Sequence, residues 1–240
     1  TAGIRTTVGS RVFEDVVPDF DSIVVERVRA AGMVVTGKTN TPEIAIHMGT
    51  LTDNDVRGPC RNPWDLNRTT AGSSGGSAAA IAMDMIQIAI GSDGGGSIRI
   101  PASFCGVYGI KGTQGRVPRK YNQLMGNLPV NFSQIGPMSR TVLDSAIFMN
   151  VMAGPHPQDP GSGLGDPPDF TSQLNKGVAG LRIGWTPDLG SASVDPEVAS
   201  VTEKAAKVFE ELGATVEPAT LHIDVTKLHQ LYRILTNVSH

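Results

Sequence analysis

Residues 71–99 read AGSSGGSAAAIAMDMIQIAIGSDGGGSIR, and this stretch decides the fold. A glycine- and serine-rich loop, Ala71 to Ser77, leads into Ala78-Ala79-Ala80-Ile81-Ala82-Met83, a run of high helix propensity. Ile86-Gln87-Ile88-Ala89-Ile90 then fits a buried strand, and a second glycine–serine loop, Gly91 to Ser97, forms its exit. Ser73 and Ser97 stand 24 residues apart. Glycine lets a backbone approach a ligand closely and adopt positive φ, so two such loops joined by one buried element are expected to share a pocket. The first loop lies at a helix N-terminus, where free N–H groups and the helix dipole favour negative charge.

Working outward, Asp21-Ser22 opens a capped helix through Ile23, Val24, Val25 and Val28 that ends near Gly32. Met33-Val34-Val35-Thr36 reads as a short buried strand, with Gly37-Lys38-Thr39-Asn40 as the loop beyond it. Residues 50–69 read as irregular and turn-rich. On the other side, Val107-Tyr108-Gly109-Ile110 is a candidate strand, and Ser139 to Met152 an amphipathic helix closed by Gly154-Pro155. Nine of the sixteen residues from Gly154 to Asp169 are Gly or Pro, which marks a linker or surface excursion. A strand at Leu181–Gly184 follows, then a helix from Asp195-Pro196 to Gly213 and an apolar helix over Leu228–His240. Strands alternating with helices predict an α/β sheet with helices on its faces.

The 240 residues suffice for one large or two small domains. With 40% hydrophobic and 18% charged residues the composition is that of a globular protein. A formal net charge of -3 and a pI near 5.9 give no reason to expect a nucleic-acid or membrane partner. No apolar run reaches the roughly 18–20 residues of a membrane span. Cys60 and Cys105 are too few for a disulfide framework, so a reducing, cytoplasmic setting is expected. Cys105, Met83, Met85, Met149 and Met152 read as core, and Trp64 as a packing residue. A chain that opens on Thr1 and closes inside an apolar helix reads as a fragment of something longer.

A serine hydroxyl needs a neighbour to take its proton. The histidines His47, His156, His222, His229 and His240 stand in no recognisable triad context. A Ser–Ser–Lys relay is the other solution: Ser97 attacks a carbonyl, Ser73 takes its proton and passes it to a buried, neutral lysine. The N–H groups of Gly94, Gly95, Gly96 and Ser97 would face the developing oxyanion. A phosphate-binding module is the rival, because glycine loops at helix N-termini also cradle anions. Gly32 and Gly37-Lys38-Thr39 stand at Gly-x-x-x-x-Gly-Lys-Thr spacing, but Met33–Thr36 between them reads as a buried strand and not as a phosphate loop, and no Gly-x-Gly-x-x-Gly follows the first strand, which disfavours it.

The Gly-Ser-Ser-Gly-Gly-Ser run, followed at fixed spacing by Gly-Ser-Asp-Gly-Gly-Gly-Ser-Ile-Arg-Ile-Pro-Ala, resembles the amidase signature family. Arg5-Thr6-Thr7, Gly37-Lys38-Thr39-Asn40, Asn62-Pro63-Trp64-Asp65 and Gly136-Pro137-Met138-Ser139-Arg140 resemble further family segments in the same order. The likeness is strong over residues 1–155 and weaker beyond. It implies an α/β fold with a mixed β-sheet core covered by helices on both faces, one domain over residues 1–240, truncated at both ends. It also implies hydrolysis of a carboxamide C–N bond through a serine acyl-enzyme, without metal or organic cofactor. Ser97 matches the nucleophile, Ser73 the bridging serine held in the family through a cis peptide, and Gly94 to Gly96 the oxyanion loop. Ser74, Asp93 and Arg99 match residues that brace the loops. The family lysine precedes the segment matched by Thr1 to Thr7, so it is expected upstream of this chain, which on its own is expected to be inactive. Lys38 falls in a different, non-catalytic family segment, and Ala71 stands where relatives carry glycine. The implied partner is a small-molecule amide, with a homodimer as the expected assembly. An amidotransferase A-type subunit that releases ammonia from glutamine is the alternative, as is an inactive scaffold of the same fold.

Overall fold

In the computed structural model residues 1–45, 51–119, 132–221 and 223–237 are described. His47, His222, His240 and the end of the expected last helix lie outside them. The chain separates into two compact units, Thr1–Ser172 and Gln173–His240. That division falls just beyond the Gly/Pro-rich stretch, within what the sequence presents as one domain.

The first unit contains, in chain order, α1 (Ile23–Ala30), β1 (Arg61–Asn62), β2 (Asp65–Thr69), α2 (Gly75–Ala82), β3 (Ile88–Asp93), α3 (Arg99–Cys105), β4 (Tyr108–Gly109), β5 (Gln134–Ser139) and α4 (Val142–Met152). A three-stranded sheet in the order β3-β5-β4 forms its centre, with both pairings antiparallel. Successive side chains of a strand point to opposite faces, and the core divides accordingly. Ile88, Ile110 and Ile135 meet Val24, Val28, Phe148, Met149 and Met152 of α1 and α4 on one face. Ala89, Met138 and Val107 meet Ala78, Ile81, Ile98, Ala102 and Cys105 of α2 and α3 on the other. The expected α/β architecture, a sheet between two helical layers, is therefore present.

Several elements differ from the sequence reading. Met33–Thr36 is not a strand: Val34 is 84% exposed, and Met33 N–H returns to the Val28 carbonyl as a helix exit. Residues 61–69, expected to be irregular, form the β1–β2 hairpin, turned where the Asn62 side chain accepts from Trp64 N–H. The second loop begins later than expected, because β3 continues through Gly91, Ser92 and Asp93 opposite Gly136, Ile135 and Gln134. α3 starts directly after the predicted loop, at Arg99; Pro101 sits in its first turn, where a missing N–H costs no intrahelical bond. Helix α4 starts after Ser139, which belongs to β5; Thr141 caps it by accepting from Asp144 N–H (3.1 Å). Ser22 gives α1 no side-chain cap, and Asp21 instead accepts from Ala2 N–H and pairs with Arg29. Met149 and Met152 are core, but Met83 and Met85 are 58% and 75% exposed, following the end of α2.

Arg27 of α1 reaches the end of α4 and donates to four carbonyls in succession: Met152 (2.6 Å), Ala153 (2.8 Å), Gly154 (3.1 Å) and Pro155 (2.8 Å). The stretch beyond is more than an exposed linker. Asp159 and Ser162 are buried, and Asp159 accepts from the N–H groups of Arg119 and Gly161.

The second unit holds β6 (Arg182–Trp185), α5 (Pro196–Glu211), β7 (Thr215–Pro218) and α6 (Val225–Asn237). β6 and β7 pair in parallel with α5 between them in sequence, a βαβ unit. Asp195 caps α5 by accepting from Glu197 N–H (2.8 Å), with Pro196 at its first position, as the sequence predicts. Among the described residues no helix is long and apolar enough to cross a membrane.

Candidate active site

Each serine loop hangs from a different element. The first, residues 70–74, links β2 to α2, and the second, residues 94–98, links β3 to α3. Ser74 joins them. Its N–H donates to the Ser97 carbonyl (3.1 Å), while its hydroxyl accepts from Ser92 N–H (3.2 Å) and donates to the Ser92 carbonyl (3.5 Å). Gly91 lies behind this contact, and a methyl group there would come within 2.8 Å of Ile98 and 3.0 Å of the Ser74 hydroxyl. The peptide between Gly72 and Ser73 is cis. Ser73 and Ser97 are both partly exposed, and among the described residues neither hydroxyl has a hydrogen-bond partner. Both are open to a substrate.

The second loop is shaped by Asp93, whose side chain is fully buried. One carboxylate oxygen accepts from Gly96 N–H (2.8 Å), and the other from the N–H groups of Ile98 and Arg99 (3.2 Å each). The Arg99 guanidinium closes the arrangement with two bonds of 2.9 Å. Burial pushes the Asp93 carboxyl up, but the Arg99 guanidinium and the N–H groups of Arg99, Gly96 and Ile98 outweigh it and hold the group below its ordinary value. Bonding to Asp93 raises Arg99 in turn. Gly96 adopts φ +121°, a conformation open to glycine alone in practice, with Ile100 packed where a side chain would stand.

This clamp alters one expectation. Gly96 N–H is donated to Asp93, so it is not free to face an oxyanion. The amides of Gly94, Gly95 and Ser97 have no hydrogen-bond partner among the described residues.

Around the first loop stand Thr52, Asn54 and Thr70, which the sequence did not single out, and the Gly37–Asn40 segment, which it did. Thr52 and Thr70 both donate to the Ala71 carbonyl (2.8 and 3.0 Å). Asn54 donates to the Asn40 side chain (2.5 Å) and the Thr41 carbonyl (2.7 Å), and Thr39 bonds Ser77 (2.9 Å). The Gly37–Asn40 segment thus supports α2 from below. Asn54 also turns its own segment, its side-chain carbonyl oxygen accepting from Val56 and Arg57 N–H. Trp64 is 72% exposed, but its indole N–H reaches the Cys105 carbonyl (2.8 Å). Burial, then the neighbouring Cys60, pushes the Cys105 thiol up to about 11, consistent with a core residue and not a nucleophile.

A cavity of about 900 Å³ opens beside the site, between residues 1–9, residues 33–41 and β3. Ser77 and Lys38 line it, whereas Ser73 and Ser97 do not. Desolvation lowers the pKa of Lys38, whose side chain stands at the cavity rim. Among the described residues no group of three His, Cys, Asp or Glu is placed to hold a metal ion.

A family model described as Amidase matches residues 1–238. The chain is 46% identical over 221 residues to the A-type subunit of the glutamyl-tRNA(Gln) amidotransferase from Carboxydothermus hydrogenoformans, covering 92% of this chain and 44% of that protein. Its structure resembles that of a bacterial aryl acylamidase of the amidase signature family, with TM-score 0.86 and 39% identity, over 93% of this chain and 46% of the other. A peptide amidase from Stenotrophomonas maltophilia matches with TM-score 0.79 and 33% identity, over 92% of this chain and 45% of the other. The chain spans less than half the length of each of these relatives.

Proposed function

This chain belongs to the amidase signature family, and on that premise we propose that it carries the acyl-transfer site of an enzyme hydrolysing a carboxamide C–N bond. Ser97 Oγ attacks the amide carbon, and its proton passes to Ser73. The amides of Gly94, Gly95 and Ser97 bind the oxyanion of the tetrahedral intermediate, a type of contact worth about 3 kcal/mol per donor. A lysine amine, which the family pattern places ahead of Thr1 in the full-length protein, takes the proton from Ser73 and returns it to the leaving amine. Water then cleaves the Ser97 ester by the same route in reverse. These steps use side chains and backbone amides alone.

The observation that carries this reading is the Ser74 N–H bond to the Ser97 carbonyl, which ties the two serine loops into one site. A small-molecule amide, a cytoplasmic setting and a homodimer complete the proposal. The test is a fluorophosphonate probe applied to the full-length protein. Covalent label on the peptide containing Ser97, absent in Ser97→Ala, is expected. A wild type that stays unlabelled would favour the inactive scaffold.

A second reading, an amidotransferase component that releases ammonia from glutamine, is favoured by the 46% identity to one such protein. Glutamine turnover that depends on added partner subunits would select it. Turnover of simple amides by the isolated protein would select the free-standing hydrolase.

A further inference from the structure

Thr52 is 1% exposed, and its hydroxyl is used in both directions. Oγ1 donates to the Ala71 carbonyl (2.8 Å) and accepts from Gly75 N–H (3.1 Å). Its own N–H also donates to the Ala71 carbonyl (3.2 Å), and its carbonyl accepts from Cys60 N–H (2.7 Å). Ala71 and Gly75 are the residues on either side of Gly72-Ser73-Ser74. One buried side chain therefore grips both ends of the loop that presents Ser73.

The same bond completes a helix terminus. Ser74 occupies the N-cap of α2 but makes no side-chain capping bond, because its hydroxyl is spent on Ser92. Thr52, 23 residues before Gly75 in sequence, instead supplies an acceptor for the first free amide of the helix, that of Gly75. Space here is tight: a Cβ on Gly75 would collide with the hydroxyls of both Thr52 and Thr70.

We propose that Thr52 is a positioning residue of the acyl-transfer site, holding the Ser73 hydroxyl and the Ser74 amide in register with Ser97 through the Ala71 carbonyl and the Gly75 amide. This inference rests on the proposed roles of Ser73 and Ser97. Misplacing a reacting group by about 1 Å costs on the order of 100-fold in rate. Loss of the tether acts on turnover and leaves substrate affinity almost unchanged, because Thr52 is buried beneath the loop.

The experiment compares Thr52→Val, Thr52→Ser and Thr70→Val in the full-length protein. Rates of fluorophosphonate labelling at Ser97, kcat and KM on a simple aryl amide, and hydrogen exchange of the Gly75 amide are read together. Thr52→Val is expected to slow labelling and kcat by about 10- to 100-fold, with KM held within about twofold and faster exchange at Gly75. Thr52→Ser restores all three, and Thr70→Val, which leaves the Gly75 bond intact, stays close to wild type. Labelling at the wild-type rate in Thr52→Val overturns the proposal, as does equal slowing in all three variants. Should Thr52→Val fail to fold, Thr52→Cys retains the volume with a weak donor and acceptor. It is expected to label at an intermediate rate, and wild-type labelling would again overturn the proposal. A wild type that resists the probe refutes the role of Ser97 itself. Exchange at Gly75 then still decides whether Thr52 tethers the loop: faster exchange in Thr52→Val upholds the tether, and unchanged exchange overturns it.

Discussion

Asp93 ties the second serine loop from within, collecting the N–H groups of Gly96, Ile98 and Arg99 and the Arg99 guanidinium, all no more than six residues away. The first loop is tied from outside: Thr52 acts from 19 and 23 residues away, and Ser92 from 18. A loop held by its own carboxylate can take its shape locally. One held by distant hydroxyls takes its shape only once those elements have packed. The two serines of a single proposed reaction thus depend on the rest of the protein to different degrees.

The strongest test of whether the loops serve one reaction is Ser97→Ala, expected to lower turnover of the full-length protein by about 10⁴-fold or more. Ser73→Ala should fall nearly as far, and a Ser73→Ala variant close to wild type would separate the loops functionally. Asp93→Ala comes next. It deprives three backbone N–H groups of their acceptor and should cost about 3 kcal/mol, read as a lower urea midpoint. Little of that cost comes from Arg99, whose side chain is 55% exposed.

Acid sharpens the contrast. The Asp93 pKa is lowered in the folded protein, so its contribution is present above the unfolded carboxyl value near about 4 and is lost as pH falls through the folded value. Stability of Asp93→Asn should therefore fall less steeply with acid than that of the wild type. Thr52→Val should show the wild-type steepness, since no titrating group is removed. Ser74→Ala, which removes the hydroxyl bonds to Ser92 and keeps the backbone bond to Ser97, should cost about 1 kcal/mol. Thr70→Val should cost less, because the Ala71 carbonyl keeps both bonds from Thr52.

This contrast also sets what could be read from the sequence. The second loop was legible because Asp93, Gly96, Ser97 and Arg99 lie within seven consecutive residues. Helices α2 and α5 were legible from alanine content and from the Asp195-Pro196 start. Thr52 was not legible, since nothing local marks a hydroxyl whose partners lie 19 and 23 residues on. Strand β5 escaped for another reason: it carries Gly136-Pro137, and proline is rare in a central strand. Here Pro137 stands opposite Ile90 and contributes its carbonyl to Ile110 N–H (3.2 Å). Met33–Thr36 erred in the opposite direction, an apolar run without a pairing partner among the described residues.

Arg27 meets no carboxylate among the described residues; its charge is balanced by the carbonyls of residues 152–155. Mobile ions screen the attraction between opposite charges on a surface, but they have little purchase on a cation seated among oriented peptide groups. The seam between α1 and α4 should therefore hold in strong brine that loosens Arg29 from Asp21. An ammonium, lacking the flat fork that spans several oxygens at once, could not substitute there.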